Sequence, residues 1–152
     1  MTDLSDLLRP DAVLTGVAAP GKKALFAQLA QAAGQGTDPR FVAERLAERE
    51  RLGTTGFGHG VALPHARLPG LPAVSGVFMR LAQPIDFQAV DGLPVDLVFA
   101  LFSPTEAGAD HLKALARVSR RFRDQTLLAK LRGAESRDAL YALLSDAARH
   151  AA

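Results

Sequence analysis

His65 follows a proline, and His59 lies six residues earlier among three glycines, in the stretch GFGHGVALPHAR from Gly56 to Arg67. The chain has four histidines in all: His59, His65, His111 and His150. A neutral imidazole nitrogen is a good nucleophile near neutral pH. Pro64 fixes its own φ and biases Leu63 toward an extended backbone, so the ring of His65 leaves a defined position. Such a histidine can accept a phosphoryl group, act as a base or bind a metal; the plain alternative is a structural histidine. Gly56, Gly58 and Gly60 alternate, and glycines at that spacing can turn backbone N–H groups toward an anion, a candidate phosphate cradle. The alternative there is a flexible turn.

Two other side chains suit the same chemistry. Arg49, near the end of AERLAERER, reads as a guanidinium clamp on a transferred oxyanion, or as part of a solvated helix face of Glu/Arg pairs. Arg45 and Arg51 are assigned to that solvated face. His111, in ADHL, falls near an expected helix start, where backbone N–H groups attract anions; otherwise it is a helix-surface histidine. Arg117, Arg120, Arg121 and Arg123 form a basic run in RVSRRFR, read as a solvated face with docking of an acidic partner as the alternative.

Several chemistries are disfavoured. The glycine stretch is not G-x-G-x-x-G and follows an expected helix, which argues against a dinucleotide fold; no Gly-Lys-Ser/Thr follows, so it is not a Walker loop. The histidine spacing matches no standard zinc signature, and no G-x-S-x-G elbow is present. With no cysteine there is no disulfide or thiolate chemistry. A net charge of +2 gives no case for nucleic acid. No apolar run is long enough to span a membrane and the N-terminus lacks a signal-peptide pattern, so a cytoplasmic protein without metal or organic cofactor is expected.

The elements that must position these residues read as mixed α and β. Short strands are expected at Ala12 to Val17 and Val61 to Leu63, and longer ones at Ala73 to Leu81 and Val95 to Phe102. The last is apolar almost throughout, hence central and covered on both faces. Pro84 to Gln88 is expected as a separate edge piece. Helices are expected over Lys22 to Ala33, closed by Gly34-Gln35-Gly36, and over Arg40 to Leu52, started by Thr37-Asp38-Pro39. Three more are expected near His111 to Arg123, Asp124 to Leu131 and Ser136 to Ala148. The 152 residues then make one α/β domain, a central sheet flanked by helices on both faces.

Glu50, Phe57-Gly58, Val61-Ala62-Leu63, Pro64-His65 and Ala66 together fill a pattern of an acidic residue, a spacer, then apolar-Gly-x-x-apolar-Ala-apolar-Pro-His-small. That pattern resembles the signature of the type-2 IIA (EIIA) proteins of the bacterial phosphotransferase system, which include mannitol and fructose IIA domains and the nitrogen-regulatory IIA protein. The helix end from Arg49 to Gly56 and the segments Gly76-Val77-Phe78, Pro84 to Phe87, Pro94 to Leu101 and His111 to Leu115 are also similar, most of all to the nitrogen-regulatory branch. The likeness runs over residues 4–147. Two positions depart from many nitrogen-regulatory members: Lys113 stands where a further histidine is common, and Ala66-Arg67 where glycine-lysine is common.

The resemblance implies a mixed sheet with helices on both faces. It implies that His65 is the phosphorylated histidine, with His111 beside it and Arg49 as the family's arginine. A histidine phosphocarrier protein (HPr/NPr-like) would be the donor, docking on an apolar rim for which Phe57, Leu63, Leu68 and Leu71 are candidates. The output would be a regulatory target protein or a IIB component. Because IIB transfer in the sugar branches uses a cysteine and this sequence has none, a nitrogen or metabolic regulator is expected. The alternatives are a fructose/mannitol-type uptake component and an anion-binding module that is never phosphorylated. His59 has no assigned role.

Overall fold

The computed structural model describes residues 4–34 and 36–145. A 3-10 turn at Pro10–Ala12 leads into β1 (Val13–Val17), followed by α1 (Lys22–Ala32) and α2 (Pro39–Leu52). Then come β2 (Gly56–Gly58), β3 (Val61–Ala62), β4 (His65–Leu68), β5 (Ser75–Ile85) and β6 (Val95–Pro104). Helices α3 (Ala109–Arg121), α4 (Gln125–Gly133) and α5 (Arg137–Leu144) complete the fold. The sheet order is β1-β5-β6-β3-β2, with β4 also paired to β6. β5 and β6 are antiparallel, β1 is parallel to β5, and β3 and β4 are parallel to β6, so the sheet is mixed, as expected.

Strand β6 is the axis of the molecule, and its alternation shows why it is apolar throughout. Val98, Ala100 and Phe102 join a cluster with Leu25, Phe26 and Leu29 of α1 and Val42 and Leu46 of α2. Leu97, Phe99 and Leu101 point to the other face, against Val118, Phe122, Leu127, Leu131 and Leu140 of α3 to α5. Successive side chains on a strand alternate faces, so a strand buried on both needs apolar residues at every position. The Phe122 ring lies 6.0 Å from Phe78 and 5.7 Å from Phe99, a contact worth about 1 kcal/mol per pair beyond area burial.

Local chemistry sets the helix starts. Asp38 accepts the Arg40 N–H at 3.1 Å and precedes Pro39 at the first position of α2. Asp124 caps α4 and Ser136 caps α5 in the same way. α3 begins at Ala109, two residues before the expected start. The last expected helix ends at Leu144, and Asp146 to Ala148 lie outside the described residues.

One expected element is corrected, and two strands appear that the sequence did not announce. Pro84 and Ile85 are not a separate edge piece but the end of β5. Its pairing with β6 is irregular between Arg80 and Ile85, which accommodates exposed Pro84, and resumes at Ile85 opposite Val95. Gly56 to Gly58 is a strand, paired with β3. His65 to Leu68 is also a strand, running alongside Leu101 to Pro104.

Candidate functional site

Three of the residues singled out in the sequence meet in one cleft of about 460 Å³, lined by Arg45, Glu48, Arg49, Leu52, His65, Ala66, Arg67 and His111. His65 opens β4, opposite Leu101 of β6. Ala66 and Leu68 turn to the α1–α2 side of the sheet and pack in its core, which sends His65 to the opposite face. There its ring centroid lies 5.6 Å from that of His111, on the first turn of α3. From the last turn of α2, Arg49 Nε–H donates to His65 Nε2 at 3.1 Å, and Arg49 Nη1 donates to Gly53 O at 3.0 Å.

These contacts fix the state of the His65 ring. Its Nδ1 lies 3.0 Å from Leu63 O, and a carbonyl can only accept, so Nδ1 carries the proton. Nε2 is then the lone-pair nitrogen, which agrees with its accepting the Arg49 bond. Burial pushes the His65 pKa below its ordinary value near 6.5; the bond to Leu63 opposes this, Arg49 and Arg67 add to it, and Glu50 opposes it. Burial also lowers the pKa of His111, with smaller contributions from Arg67 and His65. Both rings are therefore held neutral at pH 7.

Other expectations are corrected here. For His111 it is the helix-surface alternative that fails: the side chain is 5% exposed, and its Nδ1 lies 2.6 Å from Ser103 Oγ on β6. Gly56, Gly58 and Gly60 do not line the cleft. The Gly56 N–H is taken by Thr54 Oγ1 and the Gly56 backbone packs on Phe87 and Ala89, while Gly60 makes a turn at φ +80. Val61 pairs with Leu97 and His65 with Leu101, so the hairpin lies about 13 Å back along the sheet, four residues at ~3.3 Å each. His59 sits on that hairpin at φ 58, its N–H bonded to Asp91 and its carbonyl to Arg132. It is a turn residue.

Of the candidate rim residues, Leu63 and Leu68 are core. Phe57 and Leu71 are half-buried and pack against the two cores. Leu52, which lines the cleft, is 84% exposed, and Leu112, next to His111 in the chain, is 63% exposed. The arginine run is not one solvated face. Arg117 pairs with Asp6 at 2.7 Å, and Arg121 is buried and donates to Leu143 O. Arg45 does stay on the surface, paired with Glu48 and lying over the Phe41 ring.

Sequence reasoning missed two site residues and the role of a third. Arg67 is opposite Ser103 in the β4–β6 register and lines the cleft. Its signal was the alternation from His65, visible only once β4 is known to be a strand. Ser103 has no signature at all. Glu50 was noted only as part of a pattern. Its carboxylate accepts from Thr55 N–H at 3.0 Å, Thr55 Oγ1 at 2.7 Å and Lys22 Nζ at 2.8 Å. It closes the turn that follows Arg49.

The fold that carries this cleft is shared with known proteins. Residues 6–147 match the family model described as phosphoenolpyruvate-dependent sugar phosphotransferase system, EIIA 2. The chain belongs to the type-2 EIIA family. Among its EIIA relatives, a nitrogen regulatory protein of Bradyrhizobium diazoefficiens is 48% identical over 144 residues, covering 93% of this chain and 94% of the relative. A fructose-specific EIIA component of Haloferax volcanii is 36% identical over 118 residues, covering 78% of this chain and 77% of the relative. The solved nitrogen regulatory protein IIA-Ntr of Neisseria meningitidis superimposes with a TM-score of 0.84 at 31% identity, covering 92% of this chain and 97% of that one. No helix among the described residues of this EIIA chain is long and apolar enough to cross a membrane.

Proposed function

We propose that this EIIA protein is a phosphocarrier that accepts a phosphoryl group on Nε2 of His65 from a phosphohistidine carrier protein. The observation that carries the reading is the pair of bonds on one ring: Nδ1–H on Leu63 O leaves Nε2 as the lone pair, and Nε2 faces Arg49 at 3.1 Å. In the transfer, the Nε2 lone pair attacks phosphorus. The new N–P bond forms as the donor's N–P bond breaks, and its electron pair returns to the donor imidazole. With the donor's other ring nitrogen protonated, as Nδ1 of His65 is, the donor leaves as a neutral imidazole and no proton needs to move. Arg49 gives up its bond to Nε2 and takes a phosphoryl oxygen, placing its charge where negative charge collects. The step is reversible because phosphohistidine stands on both sides.

Residues 4–147 act as one EIIA domain in the cytoplasm. The donor, a histidine phosphocarrier of the HPr/NPr-like kind, docks over the cleft on Leu52 and Leu112, within a small transient interface. The output is regulatory: a target protein binds one phosphorylation state better, and tenfold preference needs only ~1.4 kcal/mol. The 48% identity to a nitrogen regulatory protein supports this output. Service as the IIA of a fructose-type uptake system is the second reading, supported by the fructose-specific relative.

Incubation with the general phosphotransferase proteins and labelled phosphoenolpyruvate tests the first step. The chain takes up one acid-labile, base-stable phosphate, and His65→Ala, with unchanged fold, takes up none. Labelling of the alanine variant refutes the assignment. Turnover of sugar phosphate with fructose- or mannitol-class IIB components supports the uptake reading over the regulatory one.

A further inference from the structure

Ser103 has no part in the chemistry so far, yet it is fully buried on β6 with its hydroxyl 2.6 Å from Nδ1 of His111. The direction of that bond follows from counting protons. Either ring nitrogen or hydroxyl can donate. If Nδ1–H donated to Ser103, the serine proton would need a second acceptor, and His111 Nδ1 is the one partner this hydroxyl has in the structure. A buried donor without an acceptor costs about 1–3 kcal/mol. With the serine donating, every group is satisfied: its single proton goes to Nδ1, and the ring proton of His111 sits on Nε2.

The other edge of the ring completes the picture. Among the described residues His111 Nε2 has no hydrogen-bond partner, yet no buried side-chain nitrogen or oxygen there lacks one. Nε2 therefore reaches solvent, and His111 lines the cleft it shares with His65 and Arg49. Faces agree with this: Ser103 follows Leu97, Phe99 and Leu101 on the α3 side of β6, opposite Arg67 and two positions beyond the partner of His65.

We propose that Ser103 is a positioning residue for phosphoryl transfer. Its hydroxyl donates to His111 Nδ1, locks the ring as the Nε2–H tautomer, and aims that N–H into the cleft as a donor to the oxygens of a phosphoryl group on His65. The two histidines are then complementary. Each has its Nδ1 tied back into the protein, His65 through Leu63 O and His111 through Ser103 Oγ, and the Nε2 atoms are a lone pair, met by Arg49, and a donor respectively. The role rests on the phosphocarrier reading above.

The test uses the full chain labelled with nitrogen-15 on its histidines. Long-range proton–nitrogen spectra of the parent should show His111 as Nε2–H with Nδ1 as a hydrogen-bonded lone pair. In Ser103→Ala the Nδ1 resonance should move to that of an unbonded lone pair, and the single-turnover rate of phosphoryl transfer should fall on the order of tenfold, because a donor is no longer held in place. Ser103→Thr, which keeps a hydroxyl, should restore both. A loss of packing alone would lower stability without moving the Nδ1 signal. An Nδ1–H tautomer in the parent, or a Ser103→Ala rate within about twofold of the parent, overturns the proposal. A parent that takes up no phosphate refutes the phosphocarrier reading and this role with it, whereas uptake by the parent with an unaffected Ser103→Ala refutes the role alone.

Discussion

Replacing Arg49 by lysine keeps the charge and removes the geometry. In the parent, one planar guanidinium makes two bonds at once: Nε–H to His65 Nε2 at 3.1 Å and Nη1 to Gly53 O at 3.0 Å. The second bond anchors the first at the helix end. A lysine ammonium is a single point on a flexible stem and cannot hold both directions. Losing one directed donor to a developing oxyanion costs about 2.7 kcal/mol or more, which is ~100-fold in rate. The fold should tolerate the change, since Arg49 is half-exposed and the bond to Gly53 O is worth only about 1 kcal/mol. Charge and geometry separate in the pH profile. Burial is the largest cause of the lowered His65 pKa and the Arg49 charge adds to it; lysine keeps that charge, so Arg49→Lys should leave the acidic limb of the transfer rate in place. Arg49→Gln, which removes the charge, should move that limb toward higher pH. The assay is single-turnover transfer from a phosphorylated carrier, quenched on the millisecond scale across pH 5 to 8. An Arg49→Lys rate within about threefold of the parent refutes the clamp and returns Arg49 to an ordinary helix-end cation.

Three other outcomes follow from the same structure. His65 and His111 both have folded pKa values below the ordinary 6.5, so the stability they contribute is present above that value and is lost as pH falls through the folded values; urea midpoints should decline below about pH 6.5, less so in His111→Ala. Gly60→Ala should lose about 2–3 kcal/mol in chemical denaturation, because φ is +80 and the new methyl would meet the Arg132 guanidinium and Asp96; an unchanged midpoint refutes the turn assignment. Leu52→Ser, at a side chain 84% exposed beside the cleft, should leave stability within about 0.5 kcal/mol and raise the KM for the phosphorylated carrier roughly tenfold, and an unchanged KM refutes Leu52 as part of the docking rim.

Much of the fold could be read from the sequence where one physical signal dominated. Pro39 after Asp38 marks a helix start, and the apolar run Val95 to Phe102 can only be a strand covered on both sides. The glycine stretch misled because the same residues serve two purposes. Alternating glycines look like an anion cradle, yet Gly56 is small because Phe87 and Ala89 press on it, and Gly60 because a turn needs positive φ. β4 was missed because four residues, His-Ala-Arg-Leu, carry too little pattern to reveal a strand; its partner strand supplies the order. The rim failed for a related reason. Leu63 and Leu68 flank the acceptor in sequence, but strand alternation and close packing put both inside, while Leu52 and Leu112 come to the surface from distant helices. Arg49, His65 and His111 were singled out as types, but their meeting depends on the ends of α2, β4 and the start of α3, which no local pattern encodes.

That convergence also explains why the acceptor can be neutral, nucleophilic and surrounded by cations at once. Three arginines and one glutamate line the cleft, and a protonated imidazole among them would be disfavoured both by burial and by charge. The resting ring is thus kept neutral first by burial and then by the same cations that would attract a doubly charged phosphoryl group. On the proposed reading the balance reverses once that group is attached: Arg49, whose ionised donor met a neutral lone pair, then meets an ionised acceptor as well. The site therefore favours the phosphorylated state most at the oxygens, not at the nitrogen. On the proposed reading, phosphorylation exchanges a net-positive cleft for a compensated one, beside the exposed Leu52. A partner that reads charge across this cleft can distinguish the two forms without any movement of the fold.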